Sequence, residues 1–298
     1  MEKKDIVLFS KEIEKQLHER YQDPTLCNQY AWWMIEAITN KEKTKLIAQK
    51  EINLTTKQII TLQNWIKKQT EEHTPLQYLL GSVPFDNIEI LVEPPILIPR
   101  PETEEICYTI INMLQKLNNK NITILDIGTG SGCIALTLAK ALPESTVYAV
   151  DISDKAIALA SKNAKHNNIK NVTFLKSDVY QGLQGITFDI IISNPPYIAE
   201  NEWKTLDASV TQWEDKKALV ANNQGIAIIE RIVLQASEFL KKNPELLEKK
   251  IPQLIIEIGY QQGPSVAKLF KNAGFIDIHI QKDLEGKDRF VWGHLDIK

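Results

Sequence analysis

The chain has 298 residues, 43% of them apolar and 24% charged, with a net charge of −3 and a pI near 6.0. That length holds one large domain or two smaller ones with ample core, and the charge gives no overall electrostatic reason to bind nucleic acid, a local basic patch aside. Cys27, Cys107 and Cys133 show no paired ligand spacing. They indicate neither a disulfide framework nor a zinc site and are expected as buried apolar residues in a reducing compartment. The start, MEKKDIVLF, lacks a long apolar stretch with a cleavage site, and no run approaches a membrane span. A cytoplasmic protein without membrane association is therefore expected.

In chain order, Ile6 to Tyr21, Thr25 to Thr39 and Thr56 to Glu72 carry apolar residues at helical spacing, punctuated by Pro24 and Pro75. This predicts a small helical bundle over residues 1–74. Trp32, Trp33 and Trp65 read as core or an inter-helix seam rather than a stacking platform. The mixed-sign stretch from Lys41 to Lys50 reads as a solvated face. Residues 75–101, PLQYLLGSVPFDNIEILVEPPILIPRP, turn to prolines and short alternating runs, which predicts a linker with a hairpin.

Residues 102–298 begin with a helix and continue as a regular alternation. Strands are predicted at Ile122 to Asp126, Val147 to Asp151, Val172 to Lys176, Phe188 to Ser193 and Leu254 to Ile258, with helices between most of them. Such βαβα order argues an α/β fold with a parallel sheet covered on both faces. Ile276 to Gln281 and Arg289 to Gly293 are joined without a helix, so the sheet should end in an antiparallel hairpin.

Three features carry chemistry. In FDIIISNPPYI an apolar strand stops at Asn194, Pro195, Pro196 and Tyr197. The prolines end the strand and leave carbonyls free, Asn194 adds an acceptor and Tyr197 a flat face, a group suited to a planar NH2 donor. Taken alone, the same tetrapeptide is more often a strand-ending turn. After the first strand of the alternation come Gly128, Thr129, Gly130, Ser131 and Gly132, where the backbone can turn sharply and approach a ligand; a dinucleotide fingerprint would want glycine at Cys133. Asp151 ends the second strand, placed for ribose hydroxyls as in both nicotinamide and S-adenosylmethionine proteins. Asp178 follows the third on the same edge. Any one of these acids could be a cap; their succession at strand ends is harder to assign to chance.

The order DIGTGSG, Asp151, Asp178, NPPY resembles the class I S-adenosylmethionine methyltransferases that act on planar amino groups. The resemblance implies a Rossmann-like, mostly parallel seven-stranded sheet with a C-terminal antiparallel hairpin. NPPY is shared within that class by methylases of adenine N6, cytosine N4 and a glutamine amide. PLQYLLG, ILIPRPETEE, IEIGYQQG and GKDRF, with the helical N-terminal domain, resemble the release-factor glutamine methyltransferase family, HemK or PrmC, over essentially the whole chain. The resemblance implies S-adenosylmethionine as cofactor, held by Gly128, Thr129, Gly130, Ser131, Gly132, Asp151, Asp178, Val179 and Asn194. It implies Asn194 and Pro195 as acceptors of the two amide hydrogens, Pro196 stiffening the loop and Tyr197 packing on the substrate segment. Its substrate would be the glutamine of the Gly-Gly-Gln motif in class I peptide chain release factors, recognised partly by the helical domain, with no nucleic acid bound directly. Val179 stands where many relatives have an aromatic residue. Glu214-Asp215 stands for the usual Glu-Pro, and Asn222-Asn223-Gln224-Gly225 for a glycine-rich segment. Arg100 and Glu102 either order the linker over the site or form a structural salt bridge. The alternatives are a DNA or RNA amino-methyltransferase acting on adenine N6, which would need a flipping pocket and usually a basic surface, and a non-catalytic binding module keeping the fold as scaffold.

Overall fold

In the computed structural model, which describes residues 2–296, the first helices form where an apolar stripe meets a cap. Strand β1 (Glu2–Asp5) leads into α1 (Ile6–Tyr21), where the Asp5 carboxylate accepts from the Val7 and Leu8 amides. Helix α2 (Pro24–Thr39) has Asp23 as cap and proline in its first turn. Then follow α3 (Lys43–Gln49), β2 (Glu51–Leu54), which pairs antiparallel with β1, α4 (Thr56–Glu71), opened by a Thr55–Gln58 capping box, and α5 (Leu76–Leu80). Ile6, Phe9, Leu17, Trp32, Ile35 and Leu62 are buried together, with Trp33 and Trp65 packed against them as expected of a helical seam. The stretch from Lys41 to Lys50 is solvated as expected, exposed at all but Lys43 and Leu46; within it α3 forms, and Leu46, its one buried residue, seats the helix on the core.

The chain divides into two compact units, one running to Gly81 and including Asp207–Trp213, the other formed by Ser82–Leu206 and the described residues from Glu214 on. The second opens with a hairpin, β3 (Ser82–Phe85) and β4 (Ile88–Leu91). Next come α6 (Pro101–Leu114), β5 (Thr123–Ile127), α7 (Cys133–Ala141), β6 (Thr146–Asp151), α8 (Asp154–His166), β7 (Val172–Lys176), β8 (Ile190–Ser193) and β9 (Ile198–Ala199). The chain then supplies α9 (Ala208–Trp213) to the first unit. There Asp207 pairs with Arg20, and the Trp213 indole donates to the Glu72 carbonyl at 3.0 Å. It returns as α10 (Lys216–Leu219) and β10 (Val220–Ala221), which pairs parallel with β9, and finishes with α11 (Ala227–Phe239), α12 (Pro244–Glu248), β11 (Leu254–Glu257), α13 (Gly263–Asn272), β12 (Phe275–Lys282) and β13 (Asp288–Leu295).

Residues 75–101 are built into both units. The hairpin is hydrogen-bonded to α8 by two asparagines acting as strand surrogates. Asn163 donates to the Leu91 carbonyl (3.0 Å) and accepts from its amide (2.8 Å), and Asn167 does the same for Glu89 (2.8 and 3.1 Å). Among the described residues no helix is long and apolar enough to cross a membrane. The three cysteines are buried and free, and burial raises their thiol pKa values, that of Cys133 to about 12.

The seven-stranded sheet runs β12-β13-β11-β8-β5-β6-β7, with β13 antiparallel to both its neighbours. Ile190, Ile191 and Ile192 of β8 are all essentially inaccessible, as a parallel strand covered on both faces requires. Strand order reverses between β5 and β8, where open α/β sheets bind ligands at the carboxyl ends. Asp189 holds this junction: its carboxylate accepts from the Thr123 amide (2.8 Å), the Lys241 ammonium (2.8 Å) and the Asn243 amide (2.9 Å). Asp189→Ala should lower the urea midpoint of the sheet-bearing unit, through a loss of unfolding free energy on the order of 3 kcal/mol given the worth of hydrogen bonds to a charged acceptor. An unchanged midpoint would show that β8 is registered by packing alone.

Candidate active site

The glycine loop is fastened to the end of β6. Gly128 and Thr129 both donate to the Val150 carbonyl (2.8 and 2.9 Å), and Gly130 donates to Asp151 Oδ2 (3.0 Å). Asp126, wholly buried, accepts from the Thr129 hydroxyl at 2.6 Å; burial pushes its carboxyl up to about 7 against that bond. Gly132 begins α7 with φ +86, and a Cβ there would lie 3.0 Å from that of Ala160, so the helix is drawn close to α8. Above Gly130 a Cβ would meet nothing within 4 Å. The loop is thus tight beneath and open above.

Asp151 is largely buried, and desolvation raises its carboxyl above the ordinary range, although the Ser153 and Gly130 amides oppose this. Those two bonds, to Oδ1 and Oδ2, leave about half of the roughly four acceptor sites of a carboxylate free. Asp178, after β7, is ion-paired with Arg231 at 2.9 Å. Val179 has φ +56, rare for a β-branched residue, and its side chain packs in the core with Tyr180, Leu183 and Phe188.

Ser193, the last residue of β8, donates its hydroxyl to the Ile127 carbonyl at 2.7 Å and so binds the ends of β8 and β5 together. The Asn194 carbonyl then lies 3.8 Å from where a Gly128 Cβ would stand, which puts NPPY directly beside the glycine loop. Pro195 is buried; Asn194, Pro196 and Tyr197 are half-buried. Asn194 Nδ2 donates to Thr103 Oγ1 (3.1 Å), Thr103 Oγ1 donates to Glu257 Oε2 (2.7 Å), and the Tyr197 hydroxyl donates to Glu257 Oε1 (3.4 Å). Glu257 is 1% exposed, and desolvation pushes it up to about 7 against these bonds and Arg289. Burial, then Glu257, keeps the Tyr197 phenol above its usual range.

Behind Tyr197 the backbone is buttressed. Gln262 Nε2 donates to the Tyr197 carbonyl (2.9 Å) and to that of Gln224 (3.1 Å), while its Oε1 accepts from the Gly259 amide (2.9 Å). Past NPPY, an open cleft of about 660 Å³ lies between residues 199–204 and 221–224. Arg100 meets Glu214 with both carboxylate oxygens within 2.8 Å and so ties the segment before α6 to the start of α10. Glu102 stands 4.0 Å from Arg289.

The structure therefore brings Gly128, Thr129, Gly130, Ser131, Gly132, Asp151 and NPPY to one edge of the sheet, with Asp178 at the neighbouring strand end. Sequence reasoning did not single out Thr103, Glu257 or Gln262. One signal was available for Glu257: it is the lone acid in the apolar run LIIEI, where an unpaired charge would be costly.

Comparison with known proteins matches these features. Residues 10–81 match the PrmC N-terminal domain family and residues 108–250 the methyltransferase small domain family. The release factor glutamine methyltransferase of Lactococcus lactis is 41% identical over 79% of this chain and 83% of its own length. That of Fusobacterium nucleatum is 32% identical over 100% of this chain and 82% of its own. A methyltransferase from Pyrococcus furiosus, 17% identical, superposes with a TM-score of 0.50 over 82% of this chain and 100% of its own, a likeness of fold. Two relatives that align over more than four-fifths of their own length, and a matching N-terminal domain, place this chain in the release factor glutamine methyltransferase family.

Proposed function

We propose that the chain transfers a methyl group from S-adenosylmethionine to the side-chain amide nitrogen (N5) of the glutamine in the Gly-Gly-Gln motif of class I peptide chain release factors, and so supports translation termination in the cytoplasm. The observation that carries this reading is the seat of NPPY beside the glycine loop, with Asn194 Nδ2 committed to Thr103 and Oδ1 taking no hydrogen bond from any described residue. An amide nitrogen is a poor nucleophile, because its lone pair is delocalised into the carbonyl. It needs two acceptors for its hydrogens and a fixed direction. Asn194 Oδ1 and the Pro195 carbonyl are those acceptors in this reading. Both favour the positive charge that develops on nitrogen, so they bind the transition state better than the ground state. Orientation alone supplies about 7–11 kcal/mol in the most favourable systems, and no strong base is required beforehand. Tyr197 and Pro196 form the wall against which the amide-bearing segment packs.

The donor set fits the cofactor. Asp151 keeps acceptor capacity for ribose hydroxyls, the loop is open above Gly130, and Asp178 and Val179 follow the end of the neighbouring strand β7. When bound, S-adenosylmethionine supplies an electrophilic methyl group on a sulfonium. The helical unit would recognise the folded factor. In support, the chain leaving NPPY contributes α9 to that unit before it returns at Glu214.

The full-length protein with labelled S-adenosylmethionine should label an intact release factor on its Gly-Gly-Gln glutamine, and a short Gly-Gly-Gln peptide less efficiently. Label in adenine-containing DNA or RNA, with none in the factor, would overturn the reading. Asp151→Ala should weaken S-adenosylmethionine binding by on the order of 1.5–3 kcal/mol, the worth of bonds to a charged group; an unchanged affinity by calorimetry would remove Asp151 from the site. Asn194→Ala leaves the prolines to end β8, so the fold should survive while kcat falls by about 10²–10³. Asn194→Asp sets a second carboxylate against Thr103 and should be no better. If NPPY is merely a turn, both variants will turn over and melt as the wild type does.

A further inference from the structure

A side-chain amide presents oxygen at one end and nitrogen at the other, and methyl transfer requires the oxygen of Asn194 to face the substrate. Rotated by half a turn, the same side chain would set its own NH2 against the substrate NH2. Its environment must therefore choose. The only hydrogen-bond partner of the Asn194 side chain among the described residues is Thr103, whose hydroxyl can donate or accept. That ambiguity is removed one residue further back. Thr103 Oγ1 lies 2.7 Å from Glu257 Oε2, and a carboxylate can only accept, so the single hydroxyl proton is spent there. Toward Asn194 the hydroxyl then offers lone pairs alone: it receives Nδ2–H, and the rotated amide would meet it oxygen to oxygen.

We propose that Glu257, acting through Thr103, sets which end of the Asn194 amide faces the substrate, and that both are positioning residues for methyl transfer; this rests on the reading of NPPY given above. Neither residue touches the reacting atoms. Glu257 is suited to the task because its hydrogen-bond partners and Arg289 keep the polarity in one sense. Tyr197 from the β8–β9 loop donates to its other oxygen, and Arg289 on β13 favours its charge. Glu102 on α6 opposes that charge, while the thiols of Cys107 and Cys133 nearby stay protonated. Protonation of Glu257 would reverse the sense. Its hydroxyl could donate to Thr103, freeing the Thr103 proton to face Asn194 and making the wrong amide orientation equally acceptable. Because burial holds this carboxyl at about 7 rather than 4.5, the correct orientation is secured above that pH and is lost as pH falls through it.

The test is single-turnover methylation of an intact release factor by the full-length enzyme saturated with S-adenosylmethionine, across the pH range bracketing about 7. Glu257→Gln keeps the shape but can donate to Thr103; Thr103→Val keeps the shape without the hydroxyl. Each should slow the chemical step by about 10–100-fold, the usual cost of losing a residue that orients a ligating group, with KM for the factor and cofactor affinity unchanged. Thr103→Ser should recover most of the loss. The wild-type rate should fall as pH drops through about 7, and Glu257→Gln should lack that limb. Wild-type rates and pH dependence in Glu257→Gln and Thr103→Val, or a serine variant as slow as the valine one, would overturn the relay while leaving the assigned function intact. A wild-type enzyme that does not methylate the factor would bring down both.

Discussion

The site depends on the pairing of β5 with β8 at the point where the strand order reverses. Because these parallel neighbours run in register, from Ile124 opposite Ile190 to Ile127 opposite Ser193, the chain segments leaving their carboxyl ends emerge side by side. One is the glycine loop and the other NPPY. The register is secured at both ends: Asp189 holds the Thr123 amide where the strands begin, and Ser193 reaches the Ile127 carbonyl where they finish. A slip of one residue would turn Asp189 into the wrong face and carry Asn194 away from Gly128. The apolar triplet of β8 cannot supply this register by itself, since all three isoleucines are buried and would exchange places in a slip; the polar groups at its two ends do.

Behind this edge the protein buries two carboxyls, Asp126 and Glu257, and both are pushed up to about 7 by desolvation. A buried acid is a poor way to stabilise a fold. Each here holds a hydroxyl that shapes a different half of the site: Asp126 holds Thr129 in the loop, Glu257 holds Thr103 next to NPPY. The cost of burial is thus incurred where direction matters, for a hydroxyl that can donate or accept takes a fixed sense once one partner is a charged acceptor.

Much of the architecture was legible because buried parallel strands such as Ile190–Ser193 write themselves as apolar runs; the half-exposed edge strand Val172–Lys176 matches the predicted strand, and the others shift by at most two residues at either end. The glycine loop, Asp151 and NPPY were legible as strand-end residues for the same reason. Less legible were contacts across long sequence separations. Thr103 and Glu257 are 154 residues apart, Arg100 and Glu214 are 114, and Tyr197 and Gln262 are 65. No local pattern announces such pairs. Helix α3 was missed for the opposite reason: seven residues with a single buried leucine give too little periodicity to be read as a helix.

Two of the three departures from the pattern of the resemblance have physical explanations of different kinds. Asp215 stands where proline is usual, yet its φ is −68, within the range a proline ring imposes. What the ring would fix covalently is held here by hydrogen bonds: the Asp215 amide donates to the Pro95 carbonyl at 2.8 Å, and its carboxylate caps α10 by accepting from the Lys217 amide at 3.0 Å. A proline could make neither bond. In Asn222-Asn223-Gln224-Gly225 three successive residues have positive φ, 53, 55 and 84. At Asn223 and Gln224 that costs about 1–2 kcal/mol each for a side chain in the left-handed region, less for the asparagine. At Gly225 no such compromise exists, because a Cβ would lie 2.0 Å from the Tyr197 carbonyl oxygen. The chain gives up glycine where only a dihedral angle is at stake and keeps it where an atom would displace the backbone of NPPY.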